Sequence, residues 1–140
     1  MKNNFEFDYR YVHAPPLGRI FYPIITISLK TIDKGMVDFD FIVDTGADIT
    51  MLPLYMADRL GVDLKKARKS QSLGIGGFLI NTWITQIPIY IADTEFKIRV
   101  SITNDNETPL LLGRVDLLDT IFSWHFDSKR KKIIFEKVGS

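Results

Sequence analysis

An apolar run, Phe41-Ile42-Val43, enters Asp44-Thr45-Gly46 without a break, and this junction constrains the chain more than any other stretch. Phe, Ile and Val favour a strand, whereas Asp, Thr and Gly favour a turn, so the Asp44 carboxylate is placed on a tight turn at a strand's end. General acid–base chemistry needs a carboxylate held rigidly, and a glycine beside it lets a second backbone approach closely. The tripeptide occurs once, because Asp93-Thr94 continues into Glu95 and Asp119-Thr120 into Ile121.

At 140 residues the chain has the size of one domain with a real core. We expect a single domain over 1–140, with an N-terminal extension at 1–18, a core at 19–120 and a closing strand pair at 121–140. The net charge of +1 supplies no field that would gather nucleic acid or an anionic membrane. The basic runs Lys65-Lys66-Ala67-Arg68-Lys69 and Lys129-Arg130-Lys131-Lys132 fall at element ends, where solvated cations are ordinary. Without cysteine there is no disulfide scaffold and no thiol nucleophile, which suits a reducing compartment. His13 and His125 lack a second ligand at a recognisable spacing, so neither a metal nor another cofactor is expected. No apolar run reaches the roughly 18 residues of a spanning helix. A soluble, cytoplasmic protein is the expectation.

Phe5, Phe7, Tyr9 and Tyr11 alternate with Glu6, Asp8 and Arg10, the period of a strand with one aromatic face, until Pro15-Pro16 interrupts it. Ile20 to Leu29 and Met36 to Val43 read as paired strands around the turn Asp33-Lys34-Gly35. Pro53 can open a short helix through about Leu60, with Gly61 as its left-handed cap. A long hairpin over Ser70 to Ile91 bends at Gly74-Ile75-Gly76-Gly77, and strands follow near Phe96 to Ile102 and Leu110 to Leu112. Gly113 opens a second short helix, roughly Arg114 to Asp119, and strands Phe122 to Phe126 and Lys132 to Lys137 close the chain. The class is mostly β, a closed or half-closed barrel with one or two short helices.

Two further motifs stand beside the Asp44 turn. Gly74-Ile75-Gly76-Gly77-Phe78-Leu79 puts three glycines at a hairpin tip, flexible and rich in backbone amides, as a lid over a substrate requires. Leu110-Leu111-Leu112-Gly113-Arg114 is an apolar strand that ends in glycine. Each alone is compatible with a plain turn or with core packing. In this order, over about Ile20 to Leu118, the three resemble the retropepsin family, the single-lobe homodimeric aspartic proteases. Asp44-Thr45-Gly46-Ala47-Asp48 resembles the family's active-site string, Gly74 to Phe78 its flap tip, and Leu111-Leu112-Gly113-Arg114 its apolar-apolar-Gly-Arg segment.

The resemblance implies an acid-protease barrel with a glycine-rich flap, in which Asp44, Thr45 and Gly46 form the catalytic turn. It implies that Ala47, Asp48, Gly74, Ile75, Gly76 and Leu111 bind an extended polypeptide, and that Asp48 pairs with Arg114. Since one chain supplies one Asp44, two chains must meet there as a homodimer. Ala47 carries no hydroxyl to donate to the carboxylates, so a weakly rather than strongly acid optimum is expected. The alternative is a retropepsin-like module that binds peptides or dimerises without cutting. The segment Pro53 to Leu60 and the extensions at both ends depart from the viral pattern, in which interleaved short termini seal the dimer.

Overall fold

A computed structural model of the protein describes residues 4–73 and 77–138. Two strands at the N-terminus, β1 (Asn4–Asp8) and β2 (Arg10–His13), precede β3 (Arg19–Tyr22), β4 (Ile24–Thr31), β5 (Gly35–Val43) and β6 (Thr50–Leu52). Helix α1 (Tyr55–Leu60) and a helical turn at Leu64–Lys66 lead to β7 (Arg68–Leu73), β8 (Leu79–Ile91), β9 (Thr94–Thr103) and β10 (Leu111–Leu112). A wide helical turn at Arg114–Leu118 then leads to β11 (Phe122–Asp127) and β12 (Lys132–Lys137).

Six strands close a barrel in the order β4-β5-β10-β6-β9-β8, and Ser28 of β4 meets Tyr90 of β8 at the seam. Alternation explains the inside of this barrel. Ile25, Ile27 and Leu29 of β4 and Ile87, Ile89 and Ile91 of β8 are buried at every second position, with Ile98, Val100 and Ile102 of β9 facing them. β7 runs antiparallel to the first half of β8 and so extends the sheet past the barrel wall, with Arg68 opposite Ile84 and Leu73 opposite Leu79.

A second sheet, β1-β12-β11, joins the two ends of the chain. Phe5 fastens it to the barrel, lying edge-on to Phe96 at 6.3 Å and to Phe122 at 5.7 Å. β2 and β3 form a separate antiparallel hairpin.

The turn at Ile32 to Lys34 and the left-handed cap of α1 at Gly61 (φ 71°, ψ 30°) lie where the sequence places them. Three elements differ. The aromatic strand expected from Phe5 to Tyr11 divides at Tyr9, whose N–H donates to the Lys131 carbonyl, so its halves join different sheets. The strand expected from Ile20 to Leu29 divides at Pro23, which has no N–H to continue a ladder. The segment after Gly113 is broken rather than a regular helix, because Val115 is extended (ψ 139°) and Asp116 is left-handed (φ 73°). Bidentate bonding to Arg99 holds Asp116 in that conformation, one that aspartate tolerates better than most residues.

Candidate active site

β5 delivers Asp44 at its end. β10 lies between β5 and β6, parallel to the first and antiparallel to the second, so it passes between the strands that enter and leave the 44–49 loop. The Asp44 N–H donates to the Leu112 carbonyl at 3.0 Å, which ties the start of the loop to β10. The loop closes on itself: the Asp44 carbonyl accepts from the Ala47 N–H at 3.1 Å, and Asp44 Oδ1 accepts from the Gly46 N–H at 2.9 Å. The second bond is the Asx turn that short acidic side chains form, and it aims the carboxylate. Asp44 is half-buried, and Thr45 and Gly46 beside it are exposed.

The other side of the floor is packed to contact. A Cβ on Gly113 would lie 2.4 Å from the Ile49 carbonyl carbon and 2.8 Å from the Thr50 nitrogen. The requirement is therefore for space, not for an unusual backbone angle, since Gly113 is extended (φ −88°). Its N–H donates to the buried Thr50 hydroxyl at 3.0 Å. Beyond it, Arg114 N–H donates to the Ala47 carbonyl at 3.1 Å and Val115 N–H to the Asp48 carbonyl at 2.8 Å.

The Arg114 guanidinium reaches Asp48 Oδ1 at 2.5 Å and Asp119 Oδ2 at 3.0 Å. The Asp48 side chain is nevertheless 81% exposed and keeps its outward face open to a ligand. Asp116 accepts from the Arg99 side chain at 2.7 and 2.8 Å and from the Arg99 N–H at 2.9 Å, which fastens the 114–118 turn to β9. Those hydrogen bonds hold the Asp116 carboxyl below the usual carboxylate range.

An apolar groove of about 570 Å³ opens one residue along β10 from Leu112. Leu111 and Met51, paired across β10 and β6, form its floor, while Leu73, Phe78 and Ile80 form a wall. Asp105 and Thr108 line its rim, in a loop braced by the Thr103 and Thr108 hydroxyls at 2.9 Å. Leu111 thus lies in the groove.

Sequence reasoning missed Met51, Leu73, Phe78 and Ile80 as groove residues. Phe78 and Ile80 are two apart near the start of β8 and line the same groove, so a period of two could have found them. Leu79 is exposed between them and does not line it. Gly74, Ile75 and Gly76 lie outside the described residues. No group of three or more His, Asp or Glu among the described residues could hold a metal ion.

A six-stranded barrel that presents Asp-Thr-Gly on a loop crossed by a short strand ending in glycine is the single-lobe acid-protease architecture. The family described as "gag-polyprotein putative aspartyl protease" matches residues 31–118, and the chain belongs to that family. In fold the protein is similar to a retropepsin-like aspartic protease from Rickettsia conorii. That likeness has a TM-score of 0.62 at 22% identity and covers 96% of this chain and 92% of the other. EIAV protease complexed with the inhibitor HBY-793 is similar at 26% identity, over 70% of this chain and 86% of that one, with a TM-score of 0.49. No curated protein sequence matches the chain.

Proposed function

We propose that the protein is an aspartic endopeptidase that works as a homodimer, with one Asp44 from each chain at a shared site. The observation that carries this reading is the bonding of Asp44. Its N–H is tied to β10 and its carboxylate is aimed by the Gly46 N–H, with Asp44 itself half-buried near an apolar groove. Two such carboxylates at close range cannot both ionise comfortably, so the pair holds one proton, as aspartic-protease dyads do. The ionised member takes a proton from a water that attacks the peptide carbonyl, while the protonated member donates to the carbonyl oxygen. The roles then reverse to protonate the leaving nitrogen, and no covalent intermediate forms.

An extended polypeptide would lie across the floor, with its backbone near Ala47 and the open face of Asp48 and an apolar side chain in the groove over Leu111. The 74–76 segment would close over it, and Thr45 would bond across to the partner's backbone. With no cysteine to protect, a reducing compartment suits the chain, and we place it in the cytoplasm. No helix among the described residues is long and apolar enough to cross a membrane.

Cleavage of a diverse peptide library at about pH 5 by the wild type and by Asp44→Asn tests the reading. The wild type is expected to cut on the side of apolar residues and the variant to lose activity at least about a thousandfold with its melting temperature retained. Equal activity in the two would remove Asp44 from the chemistry. A dimer that cuts nothing would leave the peptide-binding module as the function.

A further inference from the structure

Resting on the homodimeric reading, we propose that the β2–β3 hairpin is an arm that grips the second copy of the chain, which covers the aliphatic strip of Val12, Leu17 and Ile20. Register places the arm. β4 and β5 pair Ile24 with Ile42, and the Val43 N–H donates to the Pro23 carbonyl at 2.7 Å, so the ladder brings Pro23 level with Val43, next to Asp44, and β3 ends one residue before it at Tyr22. From Tyr22, β3 runs on to Arg19, about 10 Å at ~3.3 Å per residue, and the 14–18 turn lies beyond it. A two-fold axis that joins two Asp44 carboxylates passes at that level. An element that starts there and continues past it lies against the partner, and the contact repeats symmetrically.

One face of the arm is already committed to its own chain. Phe21 stacks on Tyr9 at 3.7 Å and meets Phe126 edge-on at 5.6 Å, while the Arg19 guanidinium lies 4.0 Å over the Tyr11 ring. On the opposite face Arg10 is held by Asp40 at 2.7 Å. Next along that face, Val12 stands opposite Ile20, with Val12 exposed. Leu17, at the tip, is 73% exposed. The turn that presents it is ordered: Leu17 N–H donates to the Ala14 carbonyl, and Ala14 N–H to the Gly18 carbonyl, each at 2.7 Å. A branched aliphatic side chain held out on a bonded turn has a reason to be there if a second surface buries it.

The C-terminal strand, by contrast, is occupied. β12 lies between β1 and β11 of its own chain and has no edge left to share. The arm also falls outside residues 31–118, which the family matches.

Sedimentation over a range of concentrations, paired with the peptide-cleavage assay, tests the arm. The double variant Val12→Lys/Leu17→Lys changes two exposed positions and should keep its melting temperature. Met36→Lys is the control, exposed at the far end of the β4–β5 hairpin, and Asp44→Asn reports on the chemistry alone. Wild type, Met36→Lys and Asp44→Asn are expected to dimerise alike. The double variant should weaken dimerisation by at least about tenfold and regain cleavage at high concentration. Wild-type dimerisation in the double variant would overturn the arm and leave the protease reading standing. A wild type that stays monomeric at every concentration would overturn the arm and the homodimer together, whether or not it cuts.

Discussion

In the floor of the site, Gly113 lies too close to Ile49 and Thr50 for any added carbon, and backbone bonds from Leu112, Arg114 and Val115 hold the 44–48 loop. In the groove wall a few residues away, Leu73 and Phe78 leave 75% and 76% of their surfaces to solvent. On the protease reading proposed above, the two regions answer different demands. A carboxylate that moves protons must be held in one place, and close packing with satisfied hydrogen bonds does this. A surface that receives varied side chains needs apolar area and slack, and exposed leucine and phenylalanine provide both.

If this contrast is right, substitutions in the floor should cost stability and those in the wall should cost binding. Gly113→Ala should show the largest effect, because its methyl would overlap backbone rather than the end of a side chain. We expect a loss of at least ~3 kcal/mol in chemical denaturation, together with most of the peptidase activity. Wild-type stability in that variant would break the claim that the floor is packed to contact.

Thr50→Val keeps the shape but leaves the Gly113 N–H without its acceptor, so denaturation should show a loss of about 1–2 kcal/mol. Asp116→Asn should cost less, since the pair with Arg99 is partly exposed. Asparagine also tolerates the left-handed backbone at this position. Its pH dependence sharpens the test. Because the folded Asp116 carboxyl sits below its usual range, its contribution is present above about pH 4 and is lost as the pH falls through the lower folded value. The stability difference between wild type and Asp116→Asn should therefore be full at pH 6 and shrink in acid, as melting temperatures across that range would show. A difference that grew in acid would contradict the assignment.

The smallest stability change belongs to the wall. Phe78→Ala should unfold within ~0.5 kcal/mol of wild type, yet raise KM for peptides with a large apolar residue beside the cut bond. A clear loss of stability there would mean that Phe78 is structural and would dissolve the contrast.

Much of the fold was legible because its signals are local. Alternation along β4, β5, β8 and β9, the turn at Asp33-Lys34-Gly35 and the cap at Gly61 depend on residues a few positions apart. The breaks at Tyr9 and Pro23 were not legible. Tyr9 leaves its strand to bond Lys131, more than a hundred residues away, and the chain on either side of Pro23 changes partner from β2 to β5. The break after Gly113 depends on Arg99, a residue of another strand.

The site divides the same way. By itself, the sequence determined the strand that ends in Asp44-Thr45-Gly46, the pairing of β7 with β8 and the Leu111-to-Arg114 segment, because strand propensity and turn chemistry are written in adjacent residues. Only the tertiary structure decided that β10 would lie between β5 and β6, that Gly113 would be pressed against Ile49, and that Met51, Leu111 and Phe78 would share one groove. The first half of the aromatic strand, β1, was likewise committed by Phe5 to a sheet within its own chain. Those choices rest on which distant strands pair and which side chains fill the space between them, and no local pattern carries that information.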